Sequence, residues 1–522
     1  MSRASDSSQL LIKALCTKAS AYAHAISSVR LVETHISWVL LTGQYAYKIK
    51  KPVSFGFLDF SSLEQRRFFC TEEIRLNRRL AATIYLESVP ITGSLDDPKM
   101  DGTGDVIEYA VKMNQFSDGC LLSERAESDD LHVNDIDQIA GVVAQFHEII
   151  DKTADDSQFG EAKDIKRWFD ENFDQIRPLL KEAPYKQQLD TIQQWGNEEW
   201  LNKSTLMQFR KQQGFVRECH GDLHLSNITL IDGKVTLFDC IEFNPKLRWI
   251  DVINEVAFLI IDLLYFGYEG FAYRFLNRYL QYTGDYQGLA LLRYYLVYRA
   301  LVLAKVTLLR MEQCQGKESE RAFIKFSTFM KLAERFTRQH RVVLMITHGY
   351  SGSGKSTVAE QCSETIGAIL MRSDVERKRL FGYRPEDVTD SDMGGGIYTE
   401  KAGLQTYQRL ADLVKVGISE GLSVIVDAAF LKSWQRQLFW QVANEFAVDF
   451  LILDCQAPDA DLESRIRQRN NDASEATVEV LRQQQQSAEP LSREEAAHSV
   501  TVDASNVNAI KIWLQNFMEN QV

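Results

Sequence analysis

Hydrophobic spacing changes several times along the chain, and each change marks an element. The run HISWVLLTGQYAYKIKK (35–51) alternates apolar and polar positions on either side of Thr42-Gly43, which predicts a β-hairpin. A helix is expected from Ser61 or Ser62 to Leu80, opened by the capping box Ser61-x-x-Glu64. VIEYAVKM (106–113) returns to period two, and IDQIAGVVAQFHEII spaces its apolar residues along one helical face. In ITLIDGKVTLFD, the pair Asp232-Gly233 tolerates positive φ and predicts a second hairpin. From Asp251 to His340 the pattern is helical and aromatic-rich, with the polar break QCQGKESE joining two helices. At RVVLMITHGYSGSGKST the pattern becomes a buried strand (342–347), a glycine loop and a helix. Further buried strands follow at 368–371 and in SVIVDAAF. The expected architecture is an α+β domain over 1–338, then an α/β domain with a parallel sheet over 339–522.

A chain of 522 residues exceeds what one core usually supports, so two domains agree with its length. The net charge of −13 argues against general nucleic-acid binding, because a phosphate polymer is repelled without a strong basic patch. Eight cysteines are scattered singly, with no CxxC pair, which points to reduced thiols in a cytoplasmic protein. The N-terminus has no long apolar run, and AFLIIDLLYFGY is short and interrupted by Asp262, so neither export nor a membrane span is expected. The tract Gln483 to Gln486 is placed on a helix.

Gly349-x-x-x-x-Gly354-Lys355-Ser356 has Walker A spacing between a strand and a helix. In such a loop the glycines let backbone amides approach phosphate, and the helix N-terminus adds positive potential. Gly349, Ser351, Gly352, Ser353, Gly354 and Thr357 are thus read as nucleotide-binding, Lys355 as the lysine on the β/γ oxygens, and Ser356 as a Mg²⁺ ligand. Asp427, at the end of a buried strand, is placed in the magnesium shell. In RSDVERKRL, Asp374 and Arg377 share a helical face, the acid to take a proton from an acceptor hydroxyl and the arginine to anchor the acceptor. Arg465, Arg467 and Arg469 in ESRIRQRNN are read as lid arginines that offset transition-state charge, with Arg465 and Arg469 four apart on one face.

In HGDLHLSN (220–227), Asp222 and Asn227 stand five apart, the interval of the kinase pattern H-R-D-L-x-x-x-N. Asp222 is read as the base and Asn227 as a metal ligand, with His220 and His224 as structural supports. Asp239 follows the second hairpin like the second metal-binding aspartate of a kinase, although Cys240-Ile241 stands where Phe-Gly would be. Ala46-Tyr47-Lys48 matches the A-x-K of the kinase lysine strand, placing Lys48 on the α/β phosphates. Glu73 is the chosen partner of Lys48, with Glu72 and Glu64 as competitors.

GYSGSGKST and RSDVERKRL make 341–522 resemble P-loop kinases of small molecules and nucleotides, such as gluconate kinase, chloramphenicol phosphotransferase, the kinase domain of polynucleotide kinase and zeta-type toxins. HGDLHLSN, FDCIEFN and YKIKK make residues 32–310 resemble the aminoglycoside phosphotransferase and choline kinase-like group, which implies a two-lobed protein-kinase-like fold. No G-x-G-x-x-G precedes Lys48. The order of the halves is similar to bacterial bifunctional aminoglycoside phosphotransferase/ATP-binding proteins. The expectation is a phosphotransferase with two Mg·ATP sites and small-molecule hydroxyl acceptors. The competing expectation is a regulatory nucleotide-binding protein, either a pseudokinase or a P-loop switch of toxin-like type.

Overall fold

Alternation along the strand Tyr45–Lys50 sorts its side chains into two cores. Tyr47 and Ile49 pack with Leu40, Val89, Ile91 and Ala110, while Ala46 faces Cys70, Ile74 and Tyr85 beside the helix Leu63–Ala81. Lys48 and Lys50 share the Ala46 side. The strand belongs to a six-stranded antiparallel sheet in the order Arg30–Glu33, Ser37–Leu41, Tyr45–Lys50, Val106–Asn114, Tyr85–Gly93, Pro98–Met100. The predicted hairpin and the 106–113 strand are both present. The helix starts one residue later than its predicted cap requires. Ser62, not Ser61, is the N-cap, its hydroxyl accepting from Gln65 N–H while Gln65 Oε1 accepts from Ser62 N–H. Ser61 is instead held by the Asp59 carboxylate, which accepts from its N–H at 3.0 Å.

This computed structural model describes residues 2–519 apart from 57, 181, 313–314, 390–394, 469–473 and 505–506. The chain forms two compact units that do not follow chain order: Met1–Leu131, Ile149–Ala162 and Gln208–Glu255 in one, and His132–Glu148, Lys163–Met207 and Val256–Val522 in the other. The fold is α+β over the first half, with an antiparallel sheet, followed by an α/β region with a parallel sheet.

The first unit also holds the hairpin Ile228–Ile231/Lys234–Leu237, turned at Asp232 (φ 50) and Gly233 (φ 73) as its sequence predicts. A short antiparallel ribbon pairs Val216–Glu218 with Trp249–Asp251.

The second unit is built on a five-stranded parallel sheet in the order Ile369–Arg372, Val424–Asp427, Val343–His348, Asp449–Gln456, Ser499–Asp503. Val343 to Ile346 and Val424 to Val426 are fully buried, which is why these strands read as unbroken apolar runs. Helices Glu269–Thr283, Leu289–Met311 and Lys317–Thr337 lie in the same unit, and Gln313 and Cys314 of the predicted break between the last two are outside the described residues. The edge strand Ile369–Arg372 is covered by the first of these helices. The amide of the buried Asn277 donates to Ala368 O at 3.0 Å and accepts from Leu370 N–H at 2.9 Å, pairing backbone groups that an edge strand would expose. Arg274 and Arg278 reinforce this contact through Glu364 and Glu360 of the helix Lys355–Ile366. No described helix is long and apolar enough to cross a membrane.

Candidate functional site

In the first unit, the hydrogen bonds of the 220–227 loop fix each group in turn. Gly221, at φ 89, donates its N–H to Glu255 at 2.6 Å, and an added Cβ would lie 3.0 Å from Leu247 O. His220 Nε2 lies 2.8 Å from Phe238 O and its Nδ1 lies 3.3 Å from Asp222 N–H, which makes it a strut between the loop and the hairpin. The Asn227 amide nitrogen donates to Asp222, at 2.9 Å to the backbone oxygen and 3.2 Å to the carboxylate. That leaves the Asn227 carbonyl oxygen as the amide atom suited to a cation. His224 Nε2 stands 3.3 Å from the Asp222 carboxylate. Phe238 N–H bonds Asn227 O, which ties the end of the hairpin, just before Asp239, to the loop.

Asp239 has φ 65, and its carboxylate lies 2.5 Å from Lys48 Nζ. Lys48 also meets Glu73 Oε1 at 2.8 Å, so Glu73, rather than Glu72 or Glu64, is the residue beside the lysine. Glu72 is occupied by Arg75 and Arg248. Two residues that the sequence reading missed complete the cluster. Lys50, fully buried, meets Glu73 Oε2 at 2.6 Å and also pairs with Glu242. The signal was present: period-two alternation places Lys50 on the Lys48 face, and Glu242 follows Asp239 by three. Burial pulls the Lys48 ammonium down, but Asp239 and Glu73 outweigh it and hold the group above its usual range. Burial likewise opposes charge on Glu73, yet Lys48 and Lys50 prevail and lower it to about 2. Glu242 goes the other way, raised by burial against the pull of Lys50.

In the second unit, Gly349 (φ 137) and Gly352 (φ 85) leave no room for a side chain: an added Cβ would stand 2.4 Å from Cys455 O and 2.6 Å from Leu462 O, respectively. The loop runs into the helix Lys355–Ile366, whose N-cap is Gly354. The buried Ser353 hydroxyl has no hydrogen-bond partner. Lys355 Nζ donates to Tyr350 O at 2.7 Å. Ser351, Gly352, Gly354, Lys355, Ser356 and Thr357 border one cavity of about 630 Å³, and Asp374, Arg377, Asp427 and Arg465 line the same space. Arg465 also donates to Gly352 O at 3.3 Å, whereas Arg469 lies outside the described residues. Arg467 is turned to Glu463 instead.

Other cavity residues were not singled out from sequence. Tyr398, Tyr407 and Glu475 line it, and Gln484 Oε1 accepts from Ser351 N–H at 2.9 Å. Gln484 falls in the Gln483 to Gln486 tract, on the helix Val478–Ser487 as expected. Arg372, predicted to follow the strand, is its last residue and lies 3.3 Å from Asp427. Burial raises the Asp374 carboxyl against the opposing pull of Arg377 and Arg372, and it pushes Tyr407 up to about 12.

Both sites offer the chemistry that magnesium and nucleotide phosphates require. Hard oxygen donors come from Asn227 and Asp239 in one unit and from Ser356 and Asp427 in the other. The groups that could bond phosphate are the Lys48 ammonium in the first and the glycine-loop amides with Lys355 in the second.

Residues 344–491 match the model of a family described as an AAA domain. Among solved structures, a gluconokinase from Sinorhizobium meliloti is 20% identical with a TM-score of 0.25, covering 35% of this chain and 97% of that one. A choline/ethanolamine kinase family protein from Mesorhizobium loti is 8% identical with a TM-score of 0.36, covering 62% and 99%. The uncharacterized protein Rv2004c of Mycobacterium tuberculosis is 30% identical over 448 residues, 86% of this chain and 88% of its own length. A Mycobacterium bovis protein matches to the same extent. That likeness runs through both halves at once, and the chain belongs to the family of these mycobacterial proteins.

Proposed function

We propose that the chain is an ATP-dependent phosphotransferase with two separate Mg·ATP sites, each transferring the γ-phosphate to a hydroxyl of a small molecule. What supports this reading is that in the first unit Lys48 meets Asp239 while Asn227 meets Asp222, and in the second Lys355, Ser356, Asp374 and Asp427 border one cavity. When bound, magnesium would draw charge off the phosphate oxygens. In the first site, Asp222 accepts the proton of the acceptor hydroxyl while Lys48, held by Glu73, orients the α/β phosphates. In the second, Asp374 plays the part of base, Arg377 anchors the acceptor, and Arg465 with Lys355 offsets the charge that grows on the transferred group. The raised Asp374 carboxyl supports a base role, since its proton affinity moves towards neutral pH.

The acceptor class is small hydroxyl compounds, and neither nucleic acid nor a membrane is needed by this scheme. A cytoplasmic setting goes with it, where ATP is supplied and buried free thiols such as Cys70, Cys219 and Cys362 stay reduced.

Calorimetry on the full chain with a non-hydrolysable ATP analogue and Mg²⁺ tests the proposal. Two equivalents are expected for the native protein, and one for each of Lys355→Ala and Lys48→Ala. A single equivalent at saturation in the native chain would refute the two-site scheme. Radiolabelled ATP with a metabolite library then identifies acceptors, and ATP binding with no transfer to any metabolite would favour a nucleotide-sensing role.

A further inference from the structure

The parallel register of the second unit's sheet sets Arg372 opposite Asp427, so the two side chains leave neighbouring strand ends together. Arg372 is 7% exposed. Its Nε lies 3.3 Å from Asp427 Oδ2 and its Nη2 lies 3.5 Å from Ser356 Oγ. Its charge also reaches the Asp374 carboxyl. Both distances exceed the ~2.8 Å of a tight charge-assisted bond, and the guanidinium reaches both oxygens. Those two oxygens are the ones assigned above to the metal.

A carboxylate buried as deeply as Asp427 is costly without a nearby cation. We propose that Arg372 is the resting counter-cation of this metal site: it neutralises the carboxylates while the site is metal-free, and it opposes entry of a divalent cation that arrives without nucleotide. This inference rests on the P-loop reading. Free Mg²⁺ would meet a like charge between its two protein ligands. The triphosphate brings the extra negative charge that allows both cations to remain. The consequence is a site that loads metal together with nucleotide and discriminates against metal alone.

The glycine loop shows the same tendency elsewhere. Lys355 is engaged by Tyr350 O and the Ser351 amide by Gln484, so groups that would meet phosphate already have partners within the chain.

The test uses the full chain without nucleotide. Mn²⁺ binding is followed by electron paramagnetic resonance, and thermal unfolding is followed with and without MgCl₂. Arg372→Met is expected to bind Mn²⁺ about tenfold more tightly than the native chain at this site. Its melting temperature is expected to become Mg²⁺-dependent, whereas the native chain responds little. Arg372→Gln, which keeps a polar head without charge, is measured beside it so that a packing defect in the Met variant does not decide the result. Adding Asp427→Asn to either variant is expected to cancel the gain, which assigns it to this site rather than to Asn227 and Asp239. Unchanged or weaker Mn²⁺ binding in both neutral variants overturns the proposal, as does a gain that survives Asp427→Asn. Failure of the P-loop reading is seen separately, as nucleotide binding that Lys355→Ala leaves intact.

Discussion

The two lysines show two ways of preparing a chain for phosphate. Lys48 sits among side-chain carboxylates, with Asp239 at 2.5 Å and Glu73 at 2.8 Å, and a second lysine shares Glu73. Lys355 rests on a backbone carbonyl at the foot of a glycine loop. In the first unit, the geometry is set by an ionic network that must be assembled from distant parts of the chain. In the second, it is set by backbone conformation within nine consecutive residues. The first design is therefore sensitive to the loss of any one charge, and the second to any added side-chain bulk.

The largest effect expected from this contrast is on chemistry. Asp222→Ala should lower transfer at the first site by about 10³-fold, within the range for loss of a general base, and leave nucleotide binding at the P-loop unchanged. Lys355→Ala should lower transfer at the second site by about 10²-fold and spare the first. Steady-state assays with each acceptor separate the two, and loss of one shared activity by both variants would break the comparison.

Next in size is stability. Glu73→Gln leaves Lys48 and Lys50 buried without their shared carboxylate, and the denaturant midpoint should report a loss of about 3 kcal/mol. Glu73 also predicts a pH dependence. Its carboxyl is lowered from 4.5 to about 2 on folding, so its stabilisation is fully present above 4.5 and is lost as the pH falls through about 2. Acid titration of the native chain against Glu73→Gln should show their difference shrinking across that window. Asp374 shifts in the opposite direction, so the acid limb of second-site activity should lie above the ordinary aspartate range, and Asp374→Asn should remove it. The smallest effect is at Gln484. Removing its amide with Gln484→Ala frees the Ser351 N–H and should tighten nucleotide binding by about threefold in calorimetry, the worth of one modest hydrogen bond.

The same contrast explains how much of each site was legible. Elements with strong periodicity, from the Tyr45–Lys50 strand to the P-loop helix, were read correctly in kind and missed by a residue or so at their ends. That small error mattered at Arg372: ending the strand at Met371 removed it from the register that faces Asp427. The glycine loop carries its geometry in local spacing, so its residues were visible from sequence alone. Lys50 and Glu242 are 192 positions apart, so local spacing puts each beside a predicted site residue without stating that the two charges meet in the core. Gln484 was read only as part of a polar tract, since the partner it serves is a backbone amide 133 residues earlier.

The Asn277 side chain bears on how the P-loop region can be handled. A segment cut at residue 339 would leave behind the amide that closes its outermost strand at Ala368 and Leu370. It would thus present a raw margin on which further strands can build. A preparation of that segment should self-associate unless the preceding helices come with it.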